Sequence, residues 1–270
     1  MKVLRNIDVL KKAISSNSNL GFVPTMGGIH KGHISLVKAS KKKCKKTIVS
    51  IYVNPTQFNN KKDFLRYPRD LNKDLGKLKR LNVDFVFLPS TEEIYLKKRL
   101  TKIKLTNSQK ILCVKFRKGH FEGVLDIMER FTKIIKPKFI FMGEKDFQQL
   151  FLVKNFIEAK YKSKIYPCKT IRDKNYVALS SRNYLLSKKH LHKAGLISNV
   201  LKNIKFSLKE NYSINKYLNI IKKKLIKKYK IRIEYLEFRN KNNLNKPKNM
   251  SNNKLFVSYY INKVRLIDNF

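Results

Sequence analysis

Apolar, β-branched runs alternate with helical patterns along residues 1–187 of this 270-residue chain. The apolar runs predict strands at Gly21–Val23, Thr47–Val53, Val83–Leu88, Phe139–Met142 and Lys164–Cys168. The amphipathic stretches between them predict helices that include Ile34–Lys43, Leu71–Leu81, Val124–Ile135 and Asp146–Ala159. Strands and helices in alternation favour right-handed βαβ units. We therefore expect an α/β fold whose parallel sheet carries helices on both faces.

A different pattern begins after Ser187. The stretch Lys188–Lys230 is helical and rich in lysine, and the polar stretch Lys241–Asn253 predicts a loop. Strand-like runs lie at Ile231–Phe238, Leu255–Ile261 and Val264–Ile267. We therefore expect two domains, a first one over residues 1–184 and a small α+β domain over residues 185–270.

The formal net charge is +44, from 62 lysines and arginines against 18 acidic residues. A charge of this size suggests nucleic acid or another polyanion as a partner. However, most of the cationic residues are lysines spread along the whole chain, and tryptophan is absent. Specific nucleic-acid surfaces more often cluster arginines among aromatic residues. We therefore expect a compositional bias and no specific nucleic-acid partner.

Cysteine content and hydropathy bear on the compartment. The three cysteines, Cys44, Cys113 and Cys168, lie far apart, which argues against a disulfide framework and fits a reducing cytosol. Charged residues interrupt the first 15 positions, so a signal peptide is not expected. No apolar run approaches the roughly 20 residues that cross a bilayer. We expect a cytoplasmic protein with no membrane partner.

The segment Pro24-Thr-Met-Gly-Gly-Ile-His-Lys-Gly-His33 stands between the first predicted strand and the first predicted helix. A helix N-terminus offers unpaired backbone N–H groups and the positive end of a dipole, which suit a phosphate. His30 and His33 can donate hydrogen bonds to a phosphate whose charge grows in a transition state. A tight turn with two exposed histidines is the alternative, and P-T-M-G just before them favours the functional interpretation.

Two more polar segments follow predicted strands. Gln57, in Asn54-Pro-Thr-Gln57, offers an amide that can bind a hydroxy acid without adding charge, although a loop amide bonded to nearby backbone is the simpler interpretation. In Gly143-Glu-Lys-Asp146, Lys145 suits phosphate oxygens, and Asp146 suits a helix cap or Mg²⁺-bound water. Gln149 lies one turn into the next helix. An ordinary capped helix is the alternative here.

Three weaker segments complete the set. Arg66-Tyr-Pro-Arg69 precedes Asp74, which is placed to approach a metal–phosphate group unless this is a capped helix with surface ion pairs. Arg117–Gly123 fits an anion-binding turn and a plain turn equally well. Ala178–Asn183 supplies two hydroxyls and an arginine that suit a triphosphate, or a simple serine turn before a helix.

In this order, six motifs resemble those of the pantothenate synthetase (pantoate–β-alanine ligase) family. They are P-T-M-G-x-x-H-x-G-H, V-N-P-T-Q-F, Y-P-R, G-H-F-x-G-V, G-E-K-D-x-Q-Q and L-S-S-R-N. The resemblance runs from about Gly21 to Ser187 and continues weakly over Glu234–Arg239. It implies a Rossmann-like nucleotidyltransferase domain with a C-terminal lid, in a cytoplasmic homodimer. It also implies Mg²⁺, and ATP, pantoate and β-alanine as substrates that react through pantoyl adenylate to give pantothenate.

The resemblance assigns roles to individual residues. His33, the expected proton donor, is expected to be catalytic together with His30, Lys145 and Arg182. The expected ATP-binding residues are Met26, Gly27, Gly28, Ile29, His30, Lys31, Gly32, His33, Gly143, Glu144, Lys145, Asp146, Ile171, Leu179, Ser180, Ser181 and Arg182. Gln57 is expected to contact pantoate and β-alanine, Gln149 to contact pantoate, and Asp74 to be linked to Mg²⁺.

Two other classes of function stay open at this point. A different H-x-G-H nucleotidyltransferase, such as one that acts on phosphopantetheine, shares the first motif, but Gln57 and Gln149 better suit a small hydroxy acid. A nucleic-acid-binding protein would account for the charge alone. One departure from the family stands out: its L-E-G reads Leu112-Cys113-Val114 here, so the conformation of that loop is an open question.

Overall fold

The computed structural model describes residues 1–65, 67–96, 103–204, 214–247 and 251–270. Arg66, and parts of the predicted helical stretch Lys188–Lys230 and the predicted loop Lys241–Asn253, lie outside these ranges. The strands are β1 Lys2–Leu4, β2 Leu20–Thr25, β3 Lys46–Ile51, β4 Phe85–Phe87, β5 Phe139–Gly143, β6 Lys164–Cys168, β7 Arg232–Asn240, β8 Asn253–Ile261 and β9 Val264–Asn269. The helices are α1 Ile7–Ile14, α2 Lys31–Lys43, α3 Lys61–Leu65, α4 Leu71–Arg80, α5 Thr91–Tyr95, α6 Cys113–Phe116, α7 His120–Ile135, α8 Phe147–Glu158, α9 Lys188–Asn203 and α10 Ile214–Tyr229.

The chain divides into two compact units. The first contains residues 1–110 and 117–170, and the second contains residues 111–116 and 171–270. The short stretch 111–116 therefore packs with the second unit although the chain on both sides of it belongs to the first. A functional boundary near residue 185 stays a prediction.

The first unit is built on a six-stranded parallel sheet in the order β1–β4–β3–β2–β5–β6. The expected α/β fold is confirmed, and the strand predicted at Lys164–Cys168 is observed with the same bounds. Strand β1 was not predicted, because three residues are too few to show a periodic pattern.

Helices cover both faces of this sheet. On one face, strand residues Val23, Val49 and Val86 pack against Val37 of α2 and Leu78 of α4. On the other face, the rings of Phe22 and Phe87 meet Phe131 of α7 edge-on, at centroid distances of 5.5 and 6.1 Å. Adjacent strand residues point to opposite faces, so a run of apolar residues is buried on both sides. Each such side chain contributes about 1.5–3 kcal/mol through burial.

The second unit has a three-stranded antiparallel sheet in the order β7–β8–β9. Its apolar core includes Ile197 of α9, Leu225 of α10 and Val257 of β8. A buried ion pair joins Arg172 to Asp268, with N–O distances of 2.7 and 2.9 Å. The predicted small C-terminal α+β region is therefore present, within a unit that begins earlier in the chain.

The three cysteines are buried free thiols. Cys113, in the L-C-V departure, begins α6 in the second unit, where its Sγ lies 2.9 Å from the Tyr235 hydroxyl and accepts from Arg265 at 3.3 Å. Two polar side chains of the second unit therefore contact the altered position. In the described part of the chain, no helix has the length and apolar character that crossing a membrane requires.

Candidate active site

The turn after β2 carries two glycines in the left-handed region, Gly27 with φ of 82° and Gly28 with φ of 63°. Helix α4 holds this turn through Asp74, whose side chain accepts from the backbone N–H groups of Gly28 and Ile29, each at 2.7 Å. The Lys77 ammonium, one turn further along α4, donates to the Ile29 carbonyl at 2.5 Å. The N–H group of Ile29 is therefore held by the Asp74 carboxylate, and its carbonyl is held by the Lys77 ammonium group.

Asp74 was expected to be linked to Mg²⁺. Its side chain is only 2% exposed, and each of its two oxygens already accepts a backbone hydrogen bond. Among the residues that the structure describes, no group of three His, Cys, Asp or Glu side chains could hold a metal ion. The carboxylate therefore anchors the turn through both of its oxygens, and its link to Mg²⁺ stays a prediction.

The two histidines cap the N-terminus of α2. The Nδ1 atom of His30 accepts from the Gly32 N–H at 3.1 Å, and the Nδ1 atom of His33 faces the His30 N–H at 3.4 Å. An Nδ1 atom that accepts must be unprotonated, so a neutral ring carries its proton on Nε2. The two rings lie 4.1 Å apart, and each keeps an Nε2–H group as a donor.

Gly32 has a steric role in this cap. A Cβ atom at this position would lie 2.8 Å from Cε1 and 2.9 Å from Nδ1 of His30. The imidazole would have to leave its capping position to make room. The glycine of the H-x-G-H motif is therefore explained by the close approach of the first histidine ring.

Burial and positive neighbours keep both rings neutral. Burial is the main cause that lowers the pKa of His30 to about 4, and the Lys145 ammonium lowers it further. Burial also lowers the pKa of His33 to about 3, with His30 as the next cause. Asp146 acts in the opposite direction on both rings. At neutral pH the site therefore presents two uncharged Nε2–H donors beside a lysine.

The structure gathers the other residues expected in the first unit at the same edge of the sheet. Strands β2, β3 and β5 are parallel neighbours, so the segments that follow them meet at their carboxyl ends. Lys145 lies in a 3-10 turn directly after β5, 3.2 Å from a carboxylate oxygen of Asp146. Gln149 follows in the first turn of α8 and is partly buried. There is free space beside the backbone of Gly143, because a Cβ atom there would meet no atom within 4 Å.

Gln57 is buried in the 3-10 turn Pro55–Gln57, with 8% of its surface exposed. Its Nε2 lies 2.6 Å from Sδ of Met26, in the segment after β2. The turn therefore brings an expected substrate-binding amide against an expected ATP-binding residue.

The remaining expected ATP-binding residues lie in the second unit. The Leu179 N–H donates to the Ile171 carbonyl at 2.9 Å, so a backbone hydrogen bond holds these two residues together. The Ser180 hydroxyl accepts from the Arg182 N–H at 3.2 Å and caps the 3-10 turn Ser181–Leu185. This is the serine turn that was the alternative interpretation, and the ATP contact of these residues stays a prediction.

Sequence reasoning missed the roles of Lys77 and His120. Helix α7 begins at His120, four residues before the predicted start, so the second half of the segment Arg117–Gly123 is helical rather than a turn. His120 is 5% exposed and its Nδ1 lies 2.5 Å from the Gln57 carbonyl. The G-H-F motif was the available signal, but it did not show which residue the histidine contacts.

Comparison with known proteins identifies the family of this chain. The model of the family described as pantoate-beta-alanine ligase matches residues 2–270. The chain is 39% identical to a pantothenate synthetase from Azobacteroides pseudotrichonymphae over an alignment of 282 positions, which covers 100% of this chain and 99% of that protein. It is also 39% identical to a pantothenate synthetase from Clostridium botulinum, over 97% of this chain and 94% of that one.

Solved structures give the same result. The crystal structure of pantothenate synthetase from Thermus thermophilus superposes with a TM-score of 0.92 at 29% identity, covering 100% of this chain and 99% of that one. A pantoate-beta-alanine ligase structure from Francisella tularensis gives a TM-score of 0.85 at 36% identity, covering 100% and 97%. Because the family model matches nearly the whole length of this chain, the chain belongs to the pantoate–β-alanine ligase family.

Proposed function

We propose that this ATP-dependent pantoate–β-alanine ligase works in two steps through pantoyl adenylate. In the first step, a carboxylate oxygen of pantoate attacks the α-phosphorus of ATP, and the bond from that phosphorus to the pyrophosphate oxygen breaks. In the second step, the amine of β-alanine attacks the carbonyl carbon. AMP then leaves with the former carboxylate oxygen, the nitrogen loses a proton, and pantothenate is formed.

One observation carries the first step: two neutral imidazoles stand side by side at the N-terminus of α2, with Nε2–H groups available as donors. Nucleotidyl transfer needs donors where negative charge grows, on the α-phosphate and on the departing pyrophosphate. We assign His33 the donor role toward pyrophosphate, and His30 and Lys145 contacts with the phosphates. Because the rings are neutral, each stabilises the growing negative charge through an Nε2–H hydrogen bond and not through a positive charge of its own.

The substrate contacts are proposals that rest on family resemblance and on position at the sheet edge. The Francisella tularensis ligase, to which the chain is similar, is complexed with beta-gamma ATP and beta-alanine, and we propose both ligands here. The segments Met26–His33 and Gly143–Asp146 are proposed to bind ATP, as are Ile171 and Leu179–Arg182. Gln57 is proposed to contact pantoate and β-alanine, and Gln149 to contact pantoate.

The wider setting is proposed on the same basis. We propose a cytoplasmic homodimer with residues 1–184 as the nucleotidyltransferase domain and residues 185–270 as a lid. Mg²⁺ is proposed to enter with the ATP phosphates and water rather than in a cage of side chains, since Asp74 is engaged by backbone N–H groups. Its role would be to neutralise phosphate charge.

Isotope transfer tests the adenylate route. Pantoate labelled with ¹⁸O in its carboxylate is converted with ATP and β-alanine, and the nucleotide product is analysed by mass spectrometry. The proposal expects AMP that carries one ¹⁸O atom per turnover, and unlabelled pyrophosphate. Label in inorganic phosphate together with ADP would show attack on the γ-phosphorus and would contradict the proposal.

A further inference from the structure

The first turn of α7, residues His120–Gly123, packs against the 3-10 turn that carries Gln57. The His120 ring lies against the backbone of that turn, with Nδ1 2.5 Å from the Gln57 carbonyl oxygen. A carbonyl only accepts, so Nδ1 carries the proton and donates. The other ring nitrogen, Nε2, lies 2.6 Å from Nη1 of Arg117, which only donates. The two partners together fix one neutral tautomer of His120.

A second contact involves Asn54, which is 1% exposed at the start of the same turn. Its Nδ2 donates to the Gly123 carbonyl of α7 at 3.2 Å, while its Oδ1 accepts from the Thr56 N–H at 3.3 Å. The Tyr95 hydroxyl also donates to this oxygen, at 2.8 Å. Both ends of the Asn54 amide are therefore used to tie the turn to α7 and to itself.

A third contact is steric. A Cβ atom on Gly123 would lie 2.5 Å from the Thr56 carbonyl oxygen and 3.0 Å from the Gln57 backbone nitrogen. These are backbone atoms, which cannot rotate away as a flexible side chain would. Only glycine lets α7 approach the turn this closely. Beyond the turn, the Asn59 side-chain amide donates to the Lys118 carbonyl.

From these contacts we infer that His120 is a positioning residue for pantoate recognition, because its hydrogen bond to the Gln57 carbonyl fixes where the Gln57 amide stands. The inference rests on the proposed role of Gln57. The Gln57 amide also contacts Sδ of Met26 at 2.6 Å and accepts from Nδ2 of Asn54 at 3.5 Å. These contacts depend on where the backbone of the short 3-10 turn places the side chain, and the contacts with α7 set that backbone. Loss of the His120 bond lets the turn move, and the amide then meets pantoate less often in the productive geometry.

The test measures ATP–pyrophosphate exchange on the full-length protein while pantoate and ATP are varied separately. For His120→Ala we expect the KM for pantoate to rise about fivefold or more, while the KM for ATP changes less than about twofold. This is the effect expected when about one hydrogen bond is lost from one side of the site. His192→Ala, at an exposed histidine of α9, is the control and should leave both KM values unchanged.

Rescue separates positioning from general stability. The Nδ2 of asparagine matches Nδ1 of histidine, so His120→Asn keeps a donor to the Gln57 carbonyl and should restore the pantoate KM to within about twofold. His120→Asp has the same size but presents only acceptors, and should behave like His120→Ala. If His120→Ala does not fold, the Asn and Asp variants decide the question. Equal pantoate KM values for these two variants would overturn the inference.

Gln57→Ala separates this inference from the proposed function. If Gln57→Ala raises the pantoate KM but His120→Ala and His120→Asp do not, the inference is wrong and the proposed role of Gln57 stands. If Gln57→Ala leaves the KM values for pantoate and β-alanine unchanged, the proposed role of Gln57 is wrong and the inference is overturned with it. A parallel rise of the KM values for pantoate and ATP in His120→Ala, unrelieved by asparagine, would also overturn it.

Discussion

Replacing Asp74 by asparagine tests whether α4 holds the glycine turn that leads into the two histidines. The carboxylate accepts two backbone N–H groups at 2.7 Å and is almost fully buried. Asparagine keeps one acceptor oxygen but turns an NH₂ group towards the second N–H. The variant loses one charge-assisted hydrogen bond and leaves a buried donor unpaired, which costs about 3 kcal/mol.

For a unit of this size, such a loss lowers Tm by roughly 6–12 °C in differential scanning calorimetry. We also expect the KM for ATP to rise, because the segment after Gly28 is no longer fixed. Asp70→Asn is the matched control on the same helix. The exposed Asp70 caps α4 through the Lys73 N–H, and asparagine caps equally well. Its ion pair with the Lys73 ammonium is exposed to solvent, so its loss should lower Tm by no more than about 3 °C. An Asp74→Asn variant with unchanged Tm and an altered Mg²⁺ requirement would refute the anchor role and support a metal link.

Three further outcomes are expected. Gly32→Ala places a Cβ 2.8 Å from the His30 ring, so the ring leaves its capping position. The rate of ATP–pyrophosphate exchange should then fall about tenfold, which is about 1.4 kcal/mol, with little change in Tm. An unchanged exchange rate would contradict the proposed steric role of Gly32. The lowered pKa values of His30 (about 4) and His33 (about 3) mean that the unfolded chain binds more protons between pH 6.5 and those values, so stability falls as the pH falls. His30 alone accounts for up to about 3 kcal/mol, and the His30→Gln/His33→Gln double variant should show a shallower loss in acid urea titrations. Asp268→Ala leaves Arg172 without its buried partner and should cost about 3–5 kcal/mol in chemical unfolding, whereas a cost below about 1 kcal/mol would show that the pair is effectively solvated.

Local patterns in the sequence were enough to predict five of the six strands in the parallel sheet of the first unit. Buried strands such as β2 and β5 are largely apolar runs, and such runs are visible without knowledge of their partners. The H-x-G-H segment could be placed at a helix N-terminus for the same reason, since both capping contacts of His30 and His33 lie within three residues. Short-range chemistry is readable from a single sequence.

Contacts between distant segments could not be predicted in this way. Asp74 lies 46 residues from Gly28, and His120 lies 63 residues from Gln57. Nothing in the local sequence of Asp74 distinguishes a carboxylate that binds backbone N–H groups from one that approaches a metal. The helical second half of Arg117–Gly123 was not predicted, because it accompanies the burial of His120, which depends on the tertiary fold. The residues that position the site, Asp74 and His120, could therefore not be predicted in that role, whereas the histidine donors of the H-x-G-H segment could.

The crossing of residues 111–116 into the second unit was also beyond sequence reasoning. Its anchor is Cys113, whose partners Tyr235 and Arg265 come from strands more than 100 residues away, with a separation of 122 residues for Tyr235. A cysteine in this position gives no local signal of a polar partner. The sequence could show only that the family motif had changed there.

Pantoate-dependent ATP–pyrophosphate exchange in the absence of β-alanine tests the central claim most directly. If the histidine pair on α2 serves pantoyl-adenylate formation, the wild-type protein exchanges label only when pantoate is present. His33→Ala should then lose about 100-fold or more of that rate, the usual range for removal of a hydrogen-bond donor to developing charge. Exchange that proceeds without pantoate, or a His33→Ala variant that exchanges at the wild-type rate, would contradict the account.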